Sequence, residues 1–154
     1  MFGSIRASIA PVVIGTIVAI AGCGGKTTPV PDLTSASLAP AGPFLNSVSS
    51  NVTGLSQAQS TLGVGSLLGL AKAKMAPAHF SQVSDALPGA DALVGEAVKQ
   101  GLPTRLRGLA DVTDFLSQSG ISSGQVGRMI PLLRNAVSGK VSPEVAMAFM
   151  SSLW

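Results

Sequence analysis

One cysteine, Cys23, in a chain of 154 residues has no partner for an intramolecular disulfide, whatever its redox compartment. One histidine, His79, and that single thiol fall short of the ligands a structural zinc site needs. No metal and no cofactor is therefore expected. Charged residues make up 11% of the chain and aromatic residues 4%, with no tyrosine. There is no Ser-x-x-Lys pair, no His-Glu-x-x-His motif and no calcium-loop spacing. What the chain does have in quantity is apolar content, 46%, together with 18 glycines and 10 prolines. Stability must come from apolar burial, and the glycines and prolines must punctuate the elements that supply it.

The N-terminus has the layout of a secretory signal. Arg6 supplies the positive charge, and Ala7 to Gly22 form an apolar stretch carrying Val12, Val13, Ile14, Ile17, Val18 and Ile20. A permanent span needs about 20 apolar residues. This run is shorter and contains Pro11 and Gly15, so a transmembrane helix is not expected. The run ends in Ile20-Ala21-Gly22-Cys23, which resembles the lipobox of bacterial lipoproteins. In that family cleavage falls just before the cysteine, here between Gly22 and Cys23, and the thiol carries a diacylglycerol. The resemblance implies two or three acyl chains on Cys23, palmitate among them. At about 0.8 kcal/mol per buried CH₂, such an anchor is effectively permanent. Gly24 stands where lipoproteins retained at the inner membrane of enteric bacteria typically carry Asp. This points to the outer membrane, with the protein facing the periplasm. A competing site exists: Ala19-Ile20-Ala21 suits ordinary signal peptidase. Cleavage there would leave a soluble secreted protein with Cys23 as a free thiol.

From Gly24 to Pro43 the chain has no helical or strand period. It contains Gly24, Gly25, Pro29, Pro31, Pro40 and Pro43 among Ser, Thr and Ala. Such a segment buries too little apolar surface to offset its ordering entropy. Residues 23–43 are therefore read as a lipidated cysteine and a tether. A 20-residue coil of this kind spans roughly 25 Å on average and at most about 60 Å in polyproline geometry. Residues 44–154 are the candidate domain, long enough for one core. Without Arg6, nine basic and seven acidic side chains remain. That near-neutral balance implies no nucleic-acid partner and no strong attraction to lipid headgroups.

The domain reads as all-α, a single small bundle of about five to six short helices. Pro77 starts a helix with Phe80, Val83 and Leu87 on one side, and Leu87-Pro88-Gly89 closes it. The next runs from about Ala90 to Gln100 with Ala90, Leu93, Val94 and Ala97 inward. Gly101-Leu102-Pro103 stops it, with glycine in the left-handed position. Leu109, Val112, Phe115 and Leu116 mark another, ended by Gly120-Ile121. Ser122 and Gln125 have capping-box spacing ahead of Val126, Met129, Ile130, Leu133 and Val137. Pro131 lies within that helix, so a kink is expected. Ser142-Pro143-Glu144 starts the last helix.

Gly63-Val64-Gly65-Ser66-Leu67-Leu68-Gly69 could be mistaken for a dinucleotide-binding loop. Its third glycine falls one place too late, and no strand precedes it. Gly65, Gly69 and Ala73 instead recur at i, i+4, i+8 and predict a smooth stripe for close helix packing. A short echo links Gly65–Leu70 to Gly127–Leu132 and raises the idea of a duplicated helical hairpin.

Leu62 to Ala71, Leu87-Pro88-Gly89-Ala90-Asp91-Ala92-Leu93, Phe115 to Gly120 and Met129-Ile130-Pro131-Leu132-Leu133 together resemble the VcgC/VcgE group of bacterial proteins. The resemblance covers roughly residues 55–154. It implies a small helical domain, often exported, and carries no activity, cofactor or catalytic residue.

The chemistry-bearing residues are few. His79 is a lone histidine beside Phe80, read as structural. Asp111 and Asp114 share a helix face opposite Leu109, Val112 and Leu116, read as a solvated face. The C-terminal helix is less ordinary: Val145-Ala146-Met147-Ala148-Phe149-Met150 is unbroken apolar sequence, followed by Leu153-Trp154. Either it is central to the core, or Met147, Met150 and Trp154 form an adaptable surface for a partner. The expected function is a non-enzymatic helical interaction or envelope-structure module held at the membrane through Cys23, with an unidentified envelope protein as its partner. The alternative is a carrier or sensor of an apolar ligand at the membrane surface.

Overall fold

The computed structural model describes residues 38–154. A 3₁₀ turn (Ala39–Ala41) leads into seven α-helices: α1 (Gly42–Asn51), α2 (Gln57–Lys74), α3 (Pro77–Ala86), α4 (Ala90–Lys99), α5 (Leu109–Gln118), α6 (Ser123–Ser138) and α7 (Pro143–Ser152). There is no strand among the described residues. The all-α class is as expected, but the described residues hold seven helices where about five to six were foreseen. The additional one is α1. Gly22 and Cys23, the signal segment and most of the tether lie outside the described residues.

The bundle is built around α2. All twelve residues from Ser60 to Ala71 are buried, so this helix has no solvent face along three turns. A helix buried on every side belongs in the middle of a fold, and α2 packs against each of the other six helices, α4 most extensively. Its glycines determine how closely these approach. A β-carbon on Gly65 would lie 2.9 Å from the Leu93 carbonyl carbon of α4 and 3.2 Å from the Ala97 β-carbon. One on Gly69 would lie 2.8 Å from Leu102 Cδ2. Backbone-to-backbone contact between α2 and α4 thus requires glycine at 65. The predicted stripe ends there: Ala73 is exposed.

Residues 38–43 belong to the fold, not to the tether. Leu38 is 9% exposed and Ala41 3%. Gly89, at φ +90°, opens α4 in the left-handed region, and a β-carbon there would meet Ala41 Cβ at 3.0 Å. The tether assignment through Pro43 rested on proline content, yet Pro43 sits in the first turn of α1, where proline's missing N–H costs nothing. Residues 38–43, which the sequence composition assigned to the tether, are therefore part of the described fold.

Local signals fix most helix ends. Ser56 with Gln59, and Ser122 with Gln125, form complete capping boxes. Gly101 and Gly120 end α4 and α5 with φ of +99° and +79°. In each case the two Schellman bonds are present: Gly101 N–H to Val98 and Leu102 N–H to Ala97, then Gly120 N–H to Ser117 and Ile121 N–H to Leu116, all at 3.0 Å. The capping glutamines also reach across the bundle. Gln59 Nε2 donates to the Ser119 carbonyl at 3.4 Å, and Gln125 Nε2 to the Thr53 carbonyl at 3.2 Å. Helix α6 runs continuously through Pro131, whose ring faces solvent. The echo between Gly65–Leu70 and Gly127–Leu132 is not a structural repeat: Gly65 is buried against α4, whereas Gly127 is exposed with nothing near its Cβ position.

Candidate functional site

Helix α7 begins at Ser142, whose hydroxyl accepts from the Val145 N–H at 3.4 Å. Pro143 and Glu144 occupy its first turn. The unbroken apolar run then divides by face. Val145, Phe149, Ser152 and Leu153 point inward and are at most 5% exposed. Ser152 meets its burial by donating to the Phe149 carbonyl at 2.6 Å. Met147 is 66% exposed and Trp154 75% exposed, with Met150 half-buried between them. Met147 and Met150 are one turn apart on the outer side of the helix, and Trp154 follows just past its C-terminal end.

Neither alternative for this helix holds alone. The central helix is α2, not α7. The inward face of α7 is core, and Met147, Met150 and Trp154 form the outward stripe that had been singled out as an interaction surface. Among the described residues, the large apolar side chains left exposed are Val98, Met147 and Trp154.

A groove of about 450 Å³ runs along one flank of the stripe. Val137 and Ser138 of α6 line it with Ala146, Met147, Phe149 and Met150 of α7, and Arg134 stands at its rim. On the other flank, a recess of about 390 Å³ is lined by Lys74, Met75, His79, Ala148 and Ser151. At the C-terminal end, a β-carbon on Gly108 would lie 3.9 Å from the Trp154 main-chain oxygen. Gly108, which ends the exposed loop carrying Arg105 and Arg107, therefore adjoins the Trp154 main chain.

Of the other chemistry-bearing residues, Asp111, Asp91 and Lys72 hold neighbouring segments together. His79 is half-buried near the start of α3. Asp111 does not pair with Asp114; its Oδ2 accepts from the Arg107 N–H at 2.7 Å and so fixes the loop before α5. The Asp91 carboxylate accepts from Lys72 Nζ at 2.8 Å, which holds it below the usual carboxylate range. Lys72 Nζ also lies 5.2 Å from the Phe80 ring centre, so α2, α3 and α4 meet at one cation.

One motif escaped the sequence reading. Gly120-Ile121-Ser122-Ser123-Gly124 has the Gly-x-Ser-x-Gly spacing of a hydrolase nucleophile elbow. The elbow needs a strand before the serine, and here helix α5 and its Schellman turn precede it. Ser122 caps α6, with its hydroxyl 3.0 Å from Gln125 Oε1 and accepting from the Gln125 N–H.

An all-helical domain of this kind defines a class by fold without defining a reaction. The chain belongs to the VcgC/VcgE family (DUF2780), proteins of unknown function, which it matches over residues 25–154. The match starts about thirty residues before the stretch on which the resemblance was recognised, and so takes in the tether and α1. No curated protein and no solved structure matches the chain. Among the described residues, no helix is long and apolar enough to cross a membrane.

Proposed function

We propose that the protein is an outer-membrane-anchored lipoprotein whose helical domain is a non-enzymatic interaction or envelope-structure module. The observation that carries this is Ile20-Ala21-Gly22-Cys23 directly behind an apolar run led by Arg6. The described fold starts at Leu38, 15 residues after Cys23, so the intervening chain can hold the domain no further than about 54 Å from the lipid even at full extension. An anchored module acts through its surface, and the outward stripe of α7 offers the exposed apolar contacts for it. Membrane fractionation with intact-mass measurement tests the anchor. Cys23 should carry diacylglycerol, and Cys23→Ser should abolish lipid labelling and leave the signal uncleaved or misprocessed. A soluble product starting at Gly22 would replace the anchor with ordinary secretion.

The groove beside α7 favours a second function, carriage of an apolar ligand. Its volume and apolar lining fall within the range of small-molecule sites. Native mass spectrometry of protein taken from its host separates the two: a carrier brings a bound lipid-sized mass, whereas a pure interaction module does not.

A further inference from the structure

We propose that the outer stripe of α7 docks the domain onto an anionic bilayer surface, with Trp154 seated at the interface. This rests on the lipid anchor proposed above and names what the anchored domain touches. The composition of the chain gives no net attraction to headgroups, because basic and acidic residues nearly balance. The fold separates them locally. Arg134 stands on one flank of α7, Lys74 on the other, and Arg105 and Arg107 in the loop beside Trp154. The ion pairs among the described residues are Lys72–Asp91 and Lys99–Glu96, so none of these four cations is neutralised by one. Two acids lie close by: the Asp111 carboxylate accepts from the Arg107 N–H, and exposed Glu144 stands one turn before Met147 on α7, so the four cations outnumber them two to one around the strip.

The cations surround an apolar strip, which is the pattern of a membrane-interface surface. Tryptophan has an apolar body and a polar N–H and partitions to the headgroup level. Methionine adapts to an irregular apolar environment. Each cation near an anionic surface contributes attraction that fades within a Debye length. A protein partner could use the same apolar strip, but cations on both flanks and at one end match a uniform anionic plane. The tether makes that plane available at high effective concentration.

Trp154 is the only tryptophan, so its fluorescence reports this contact without ambiguity. The mature lipidated chain is reconstituted in vesicles of phosphatidylethanolamine and phosphatidylglycerol, with and without brominated acyl chains. Docking gives blue-shifted Trp154 emission that brominated lipid quenches. Both effects should be lost when phosphatidylglycerol is replaced by phosphatidylcholine, and in the Arg105→Glu/Arg107→Glu double variant, whose helical circular dichroism should be unchanged. Water-like, unquenched emission from a chain that floats with the vesicles overturns the proposal while leaving the anchor intact. A chain that does not float shows that the anchor is absent. The same emission is then read with unlipidated chain added to the vesicles, where lack of quenching overturns docking as well. A blue shift that appears only with envelope protein, without quenching by brominated lipid, assigns the stripe to a protein partner and also overturns it.

Discussion

Gly65 and Leu93 bring α2 and α4 into backbone contact: there is no room for a β-carbon between them. The neighbour is a carbonyl within a helix, which cannot rotate away. Gly65→Ala should therefore cost about 1–3 kcal/mol or more by overpacking, against alanine's better helix propensity of about 1 kcal/mol. Gly69 differs, because its obstacle is the end of the Leu102 side chain, which can turn. Gly69→Ala should be milder, and Gly69→Leu should cost about 1–3 kcal/mol. At Gly127, exposed with nothing within 4 Å of a Cβ, alanine should stabilise by about 0.5–1 kcal/mol. Urea unfolding of the three alanine variants tests the ranking, and an unperturbed Gly65→Ala would mean that α4 stands further from α2.

The sequence made the helix ends legible because their signals are local. Ser122 with Gln125, Gly101 and Gly120 each act within five residues, and each sits where its chemistry requires. Two things were not legible. Helix α1 was hidden by Pro40 and Pro43, which read as tether until Ala41 is seen packed against Gly89. The centrality of α2 was hidden because Ser60, Thr61 and Ser66 break its apolar pattern although all three are buried. Met147 and Trp154 are exposed at α7, while the cations near them come from α2, α6 and the loop before α5 and meet only in three dimensions.

Ser60, near the start of α2, and Ser66, in its middle, present hydroxyls that are fully buried and unpartnered. A buried hydroxyl without a hydrogen bond costs about 1–3 kcal/mol. Ser66→Ala should therefore leave stability unchanged or raise it by about 1 kcal/mol, and Ser60→Ala likewise. Thr61 is the contrast, since its hydroxyl donates to the Gln57 carbonyl at 2.9 Å. A clear loss of stability in Ser66→Ala, read from thermal melting, would show that its hydroxyl is paired in solution.

Acid should weaken the Lys72–Asp91 contact between α2 and α4. The Asp91 carboxyl is held below its ordinary value by its bond to Lys72. A depressed carboxylate contributes stability above its unfolded pKa and loses it as pH falls through the folded value. Both side chains are more than half exposed, so screening limits the pair to about 0.2–1 kcal/mol. Asp91→Asn should destabilise slightly near neutrality and not at all in strong acid. A penalty that persists unchanged at pH 2 would assign the effect to packing instead of charge.

Phe149 and Met147 lie two residues apart on α7 and face opposite ways, so they separate the core from the surface. Phe149 is 1% exposed and packs in the interior. Removing its ring should cost about 3–5 kcal/mol in Phe149→Ala, the range for large-to-small core changes. Met147, 66% exposed, should tolerate Met147→Ser within about 0.5 kcal/mol, as surface positions do. Trp154→Ala should be equally mild, and in the free domain Trp154 should emit at the red end, as an exposed indole does. The pair of outcomes matters for function. A Met147→Ser chain that melts like the wild type yet no longer reports a docked Trp154 on vesicles would separate surface action from folding. A Phe149→Ala chain that melts like the wild type would mean that the inward face of α7 is not core, and would move the interaction surface to the other side of the helix.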